Sequence, residues 1–152
     1  MKKRTVLCVG IALATAWGVP RLDAAALEPD ENTPEILKPA MNAYDTGLAH
    51  LQANRHTEAL AAFRKALDQA EAVKTPEART VASSAANNAG NLLMLQGQAS
   101  EAEKLYRRAA AADPRHALAI NNLGVSLLKQ GKTEEAVKTF ELAVKTDPAQ
   151  GL

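Results

Sequence analysis

The sequence predicts an all-α chain of three antiparallel helix pairs, and three observations lead there. The stretch NNLGVSLLKQGKTEEA at residues 121–136 echoes NNAGNLLMLQGQASEA at residues 87–102, 34 residues earlier. Both open on Asn-Asn, place glycine three and ten residues later, and close on Glu-Ala. Only 3% of the 152 residues are aromatic while alanine is abundant, which suits helices packed at close range better than a β-sandwich built from β-branched and aromatic side chains. Finally, the apolar residues recur at +3 and +4, the period of one helix face.

Residues 1–26 stand apart from this pattern. Lys2, Lys3 and Arg4 precede an apolar run from Val6 to Val19, Pro20 ends it, and Ala24-Ala25-Ala26 offers a small-residue cleavage site. These are the three parts of a secretory signal peptide, with an uncleaved anchor as the alternative; the run is short of the ~17–25 apolar residues a membrane span requires. Leu7 precedes Cys8 where a lipid-attachment signal wants a small residue, so a lipoprotein anchor is rejected. Removal of the signal takes Lys2, Lys3, Arg4, Arg21 and Asp23 with it, moving the formal charge from +1 to −2. A chain with that balance, no basic stripe and no interleaved aromatics is not built for nucleic acid. The single cysteine leaves with the signal, so stability rests on packing.

Residues 27–39, LEPDENTPEILKP, are acidic and carry three prolines, the composition of a flexible leader. The folded part then runs over residues 40–150 in units at about 40–73, 83–116 and 117–150. In the last unit Ile120, Leu123 and Leu127 form one stripe, Gly131-Lys132 breaks it, and Thr133 is the expected N-cap of a second helix. Ala136, Phe140 and Ala143 form that helix's stripe, and Thr146-Asp147-Pro148 stops it because proline cannot continue a helix and disfavours α at the residue before. The middle unit repeats the plan with Ala86, Ala89 and Leu93, a turn at Gly97, then Ala102, Tyr106 and Ala109, and a stop at Asp113-Pro114. A looser first copy places Ala43, Thr46 and His50 on one helix and Ala59, Phe63 and Ala66 on the next. Gly47, Gly90, Gly124 and Ala136 are small where backbones approach. The second unit starts 43 rather than 34 residues after the first, so the nine extra residues lengthen the helices near Thr75-Pro76-Glu77, itself a capped helix start.

This period and these slots resemble the tetratricopeptide repeat. The family's pattern of a large residue, Leu-Gly, an aromatic, a turn glycine, Ala, an aromatic, Ala and Pro is occupied in the last unit by Ile120, Leu123-Gly124, Leu127, Gly131, Ala136, Phe140, Ala143 and Pro148. The first unit departs from it, with Thr46 for Leu, His50 for the aromatic and Asn54 for the turn glycine. The resemblance implies an α-solenoid, a right-handed superhelix of three helix pairs. One pair cannot bury its own stripes and about three are needed to do so for one another.

Chemistry finds no residues to rest on. His50, His56 and His116 lack metal-ligand spacing, and His50 on a stripe reads as a hydrogen-bonded core histidine. Ser83-Ser84 has no nucleophile-elbow context, no glycine-rich phosphate loop occurs, and Glu134-Glu135 reads as a solvated pair at a helix start. The expectation is a non-enzyme with no metal and no cofactor.

In the resembled family the first helix of each unit lines a concave groove for peptides or partner helices. Those positions here are Met41, Tyr44, Asp45, Leu48 and Leu51, then Asn87, Asn88, Asn91, Met94 and Leu95, then Leu118, Asn121, Asn122, Val125 and Leu128. Asn88 and Asn122 hold the slot from which O-linked N-acetylglucosamine transferases of this family face a peptide backbone. The amide pairs donor and acceptor with a peptide unit, and the alternative is that both bond neighbouring helices. The cations that co-chaperone members use against a C-terminal carboxylate are replaced by Tyr44, Leu118 and Asn122, so that clamp is absent. With two residues after the last unit, no further helix is expected to cover the final one, and Val137, Leu142 and Val144 are expected to face water as a C-terminal docking face.

The sequence thus points to an exported bacterial scaffold or adaptor, periplasmic or secreted, that holds a protein or peptide partner in the groove. It does not insert in the membrane after signal removal, and self-association through the last helix is open to it. The alternative function is a structural subunit of an envelope complex, docked through that helix.

Overall fold

The computed structural model describes residues 34–147. The signal peptide at residues 1–26, most of the leader at residues 27–39 and Pro148 lie outside the described residues. A 3₁₀ turn over Glu35–Leu37 leads into six helices: α1 (Lys38–Gln52), α2 (His56–Glu71), α3 (Pro76–Leu95), α4 (Ala99–Ala112), α5 (Ala117–Lys129) and α6 (Thr133–Thr146). The described residues contain no strand. The architecture is the all-α stack of three antiparallel pairs that the periodicity predicts. Pairs form between α1 and α2, α3 and α4, and α5 and α6, and successive pairs join through α2 against α3 and α4 against α5.

Each pair is set by one contact. A methyl group placed on Gly47 would lie 2.6 Å from the Phe63 ring, one on Gly90 2.6 Å from Tyr106, and one on Gly124 2.5 Å from Phe140. Glycine and ring are sixteen residues apart in all three units, so the first helix of each pair is cut away where the second presents its largest side chain. Alanine does the rest: Ala59, Ala66, Ala85, Ala86, Ala89, Ala102, Ala109, Ala119 and Ala136 are fully buried. Of the nine extra residues ahead of the middle unit's glycine, two lengthen α2 and seven lengthen α3, which runs for twenty residues from Pro76 with the Thr75 hydroxyl accepting from the Ala78 amide at 3.2 Å. This central helix is buried at every position from 81 to 93 and touches α1, α2, α4 and α5.

The turns follow the residues that occupy them. Gly97 and Gly131 both adopt φ +75°, and Asn54, where the first unit lacks the glycine, reaches the same left-handed region at φ 56°. Asp113 and Asp147, each preceding a proline in the sequence, are extended and end α4 and α6.

Three expectations for the helices need correction. Thr133 is the first residue of α6 rather than its cap, a position taken by Lys132 without a side-chain bond. Thr46 is exposed, its hydroxyl donating to the Asn42 carbonyl at 2.7 Å. His50 is half-buried with Nδ1 buried and without a hydrogen-bond partner, so it is not a satisfied core histidine. Tyr44 supplies the missing core volume on α1: it is fully buried, its ring 5.5 Å from that of Phe63 and tilted by 57°. A helix face turned toward α2 through Tyr44 and Gly47 leaves Thr46 on the opposite side.

Ion pairs tie the second helices together. Arg108 on α4 reaches back to Glu71 at 2.7 Å and Asp68 at 3.2 Å on α2. Glu103 on α4 is nearly buried and accepts from Arg107 at 2.9 Å, Gln130 at 2.8 Å and Lys132 at 2.6 Å, while Arg107 also bridges to Glu135 on α6. Burial pushes the Glu103 carboxyl up, but the hydrogen bonds from Lys132, Gln130 and Arg107 outweigh it and hold it at about 2.

Two predictions follow from this packing. Gly90→Ala drives a methyl into the buried Tyr106 ring and is expected to cost about 2–4 kcal/mol by denaturant titration, whereas Gly97→Ala, with open space around it, costs about 1 kcal/mol of left-handed strain. A Glu103 carboxyl lowered from 4.5 to about 2 contributes stability that is complete above its unfolded value and is lost as pH falls between the two. Glu103→Gln should therefore lower stability at neutral pH by about 1–3 kcal/mol and flatten the loss between pH 4.5 and 2.

Candidate functional site

The first helices α1, α3 and α5 lie side by side, and equivalent positions on them form rows across the stack. One row is Leu51, Met94 and Leu128, another Leu48, Asn91 and Val125, and a third Tyr44, Asn87 and Asn121. Leu48, Leu51, Met94 and Val125 are partly exposed, Leu128 and Leu95 about half exposed, and Asn121 exposed. An apolar row thus crosses all three units near the turn end of these helices.

The amides of the groove positions are placed otherwise than the sequence suggests. Asn87, Asn88, Asn91 and Asn122 are buried, as is Tyr44. Asn88 Nδ2 donates to the Tyr44 hydroxyl at 3.1 Å, and one unit later Asn122 Nδ2 donates to Asn87 Oδ1 at 2.9 Å and Asn91 Oδ1 at 3.2 Å. Because Tyr44 and Asn87 share a row, the two asparagines make one contact twice: each reaches back to the first helix of the preceding unit. Tyr106 joins the same network by donating to Asn91 Oδ1 at 2.7 Å, and burial pushes its phenol well above the usual range, so the donor stays protonated. Asn87 Nδ2 is the one amide donor of this cluster buried without a hydrogen-bond partner. The helix-to-helix role of Asn88 and Asn122, left open by the sequence, is present in the geometry.

Sequence spacing gives no sign that Ser83 and His116 meet. They do, with Ser83 Oγ 2.7 Å from His116 Nδ1. The Ser83 hydroxyl also lies within donating distance of the Ala109 carbonyl, at 2.9 Å. The pair acts as a clip between α3, the end of α4 and the start of α5. No three His, Cys, Asp or Glu side chains converge as a metal site among the described residues, and no helix there is long and apolar enough to cross a membrane.

The far side of the stack carries the other group of sequence-selected residues. Val137, Leu142 and Val144 on α6 are each about half exposed. Val137 and Val144 are seven apart and share a stripe with the half-buried Phe140, while Leu142 lies on a different flank of the helix.

The model of the tetratricopeptide repeat (TPR) family matches residues 39–86 and 87–151. The crystal structure of the TPR domain of Arabidopsis FLU superposes with a TM-score of 0.60 at 23% identity, covering 71% of this chain and 93% of that one. No curated protein sequence matches. With the family model spanning most of the described residues and the stacked pairs matching a solved domain of the same kind, the chain belongs to the tetratricopeptide repeat family, a fold that serves as a scaffold for protein–protein interaction.

Proposed function

We propose that this protein is a non-enzymatic adaptor of the bacterial cell envelope that holds an extended or helical segment of a protein partner along the face of α1, α3 and α5. The row Leu51, Met94 and Leu128 carries this reading: three units present an apolar side chain at one register, partly open to solvent. A segment laid across the row buries one apolar side chain per unit, and burial of that kind supplies affinity that the internally bonded asparagines do not. Export rests on the N-terminal sequence, with its basic start, apolar run and small-residue cleavage site.

The half-exposed Val137 and Val144 favour a second reading, docking of α6 into a larger envelope assembly. Site-specific photocrosslinking in the native cell separates the two. Under the groove reading, a photoreactive residue at 94 or 128 captures a polypeptide and one at 144 or at the exposed Lys65 does not; the reverse pattern at 144 supports docking through α6.

Three further outcomes are expected. Leu128→Glu leaves stability within about 0.5 kcal/mol of the parent, because the side chain is half exposed, yet lowers partner retention about tenfold or more. Asn122→Ala behaves in the opposite way, with a loss of about 1–3 kcal/mol from the buried amide network and crosslinking at position 128 unchanged where the fold persists. For export, intact-mass measurement of the purified protein should show residues 1–26 removed; retention of the whole N-terminus on a cytosolic species would count against it.

A further inference from the structure

We infer that the junction between the second and third units is a hinge: α5 and α6 open together, as one unit, from a block of α1 to α4, and ionic strength sets how often. This concerns how the stack is held together and does not depend on the groove reading.

The two junctions of the stack fill equivalent positions with different side chains. The row of α4 that faces the following unit is Glu103, Arg107 and Ala110, and Glu103 there meets Gln130 and Lys132 of the third unit. Counting back 43 residues, the same row on α2 is Leu60, Arg64 and Leu67. Leu67 is fully buried and Leu60 packs against the core. The first helices differ in the same sense. Asn88 and Asn122 are the equivalent residues that reach back to the preceding unit; one turn further along that face, α3 buries Leu92 where α5 buries Ser126. Ser126 turns its hydroxyl onto the Leu123 carbonyl of its own helix at 2.7 Å. In addition α3 runs for 20 residues against 13 for α5, and Ala78 and Val81 in the added turns are buried. The Arg108 pairs at the first junction therefore add to apolar burial, whereas the polar links at the second stand in its place.

That exchange weakens the second junction. Water replaces each hydrogen bond of the Asn122 amide, the Ser83–His116 contact and the Glu103 cluster when the junction opens, so their net contribution is small; apolar burial has no such replacement. Lys132, Arg107 and Glu135 are each about half exposed, which makes their pairs weak and open to screening by salt. Closure also buries Asn87 Nδ2 without a partner, a cost that opening to water relieves. Leu123 and Leu127 of α5 still belong to the common core, so the closed state dominates. The contact of Gly124 with Phe140 lies inside the third unit and survives opening, and so α5 and α6 move together. Under the proposed groove reading, opening carries Val125 and Leu128 away from Leu51 and Met94.

Native-state hydrogen exchange resolved by helix tests this, on protein expressed from the full coding sequence and purified in the form the cell yields. At low ionic strength the slowest amides of α5 and α6 should share one opening, at least about tenfold more frequent than that of α1 to α4. Raising NaCl from about 0.02 to about 0.5 M should make it at least about threefold more frequent and leave α1 and α2 unchanged. Glu103→Leu/Lys132→Met replaces the pair by apolar side chains and leaves Arg107 its bond to Glu135. It should make the opening at least about threefold rarer and blunt its response to salt. Ordinary fraying at the ends of a stack gives a different pattern, with α1 and α2 opening as often as α5 and α6, and that result overturns the inference. So does a single opening shared by all six helices, or an opening of α5 and α6 that neither salt nor Glu103→Leu/Lys132→Met alters.

Discussion

The stack depends on glycine facing an aromatic ring within each pair. Gly47 against Phe63, Gly90 against Tyr106 and Gly124 against Phe140 fix how closely two backbones approach, and that distance decides what else fits. At this separation only small side chains fill the seams, hence the run of fully buried alanines; larger ones would force the pairs apart. The arrangement also makes the pair a rigid unit of repeating shape. Successive pairs then meet at matching faces, so a residue on one first helix finds the equivalent partner on the preceding one.

The buried asparagines show the consequence. Asn88 and Asn122 each reach the preceding first helix at the same row, and Tyr106, the ring that packs on Gly90, joins them through Asn91. Spacing within the pair and register between pairs therefore share a residue. A buried amide network that is internally bonded specifies one register, since a slipped stack strands several polar groups at about 1–3 kcal/mol each. The groove inherits its floor from this network and its adhesive character from the apolar row at its edge. Under the proposed groove reading, specificity for a partner rests on the side chains at positions 51, 94 and 128 more than on the asparagines beneath.

Much of this was legible in the sequence because the determinants are local and repeated. The 34-residue period, the glycine slots, the turn glycines and the Asp-Pro stops identify helices and pairs, and Thr75-Pro76 marks an early start for α3 that the structure shows. The first unit was less legible. With Thr46 and His50 in slots that elsewhere hold apolar residues, the repeat pattern gives no sign that Tyr44, at a groove position, fills the core. The direction of Asn88 and Asn122 was undetermined because an amide satisfies a peptide and a neighbouring helix equally well; only the placement of Tyr44 and Asn87 distinguishes them. The Ser83–His116 clip has no local signal at all, being made by residues 33 apart whose meeting is set by the stacking angle.

The contrast between α4 and α6 bears on why one row of the repeat changes its chemistry along the chain. Between units of one chain, neighbours are held together by covalent connection, and the effective concentration is high enough that ion pairs such as Glu103 with Lys132 suffice to fix register. A contact between separate molecules has to offset lost translational and rotational freedom, and exposed ion pairs do not supply that; apolar burial does. The row is not of one chemistry even within the chain, since α2 presents Leu60 and Leu67 where α4 presents Glu103 and Ala110, so an apolar row on α6 does not by itself mark a contact between molecules.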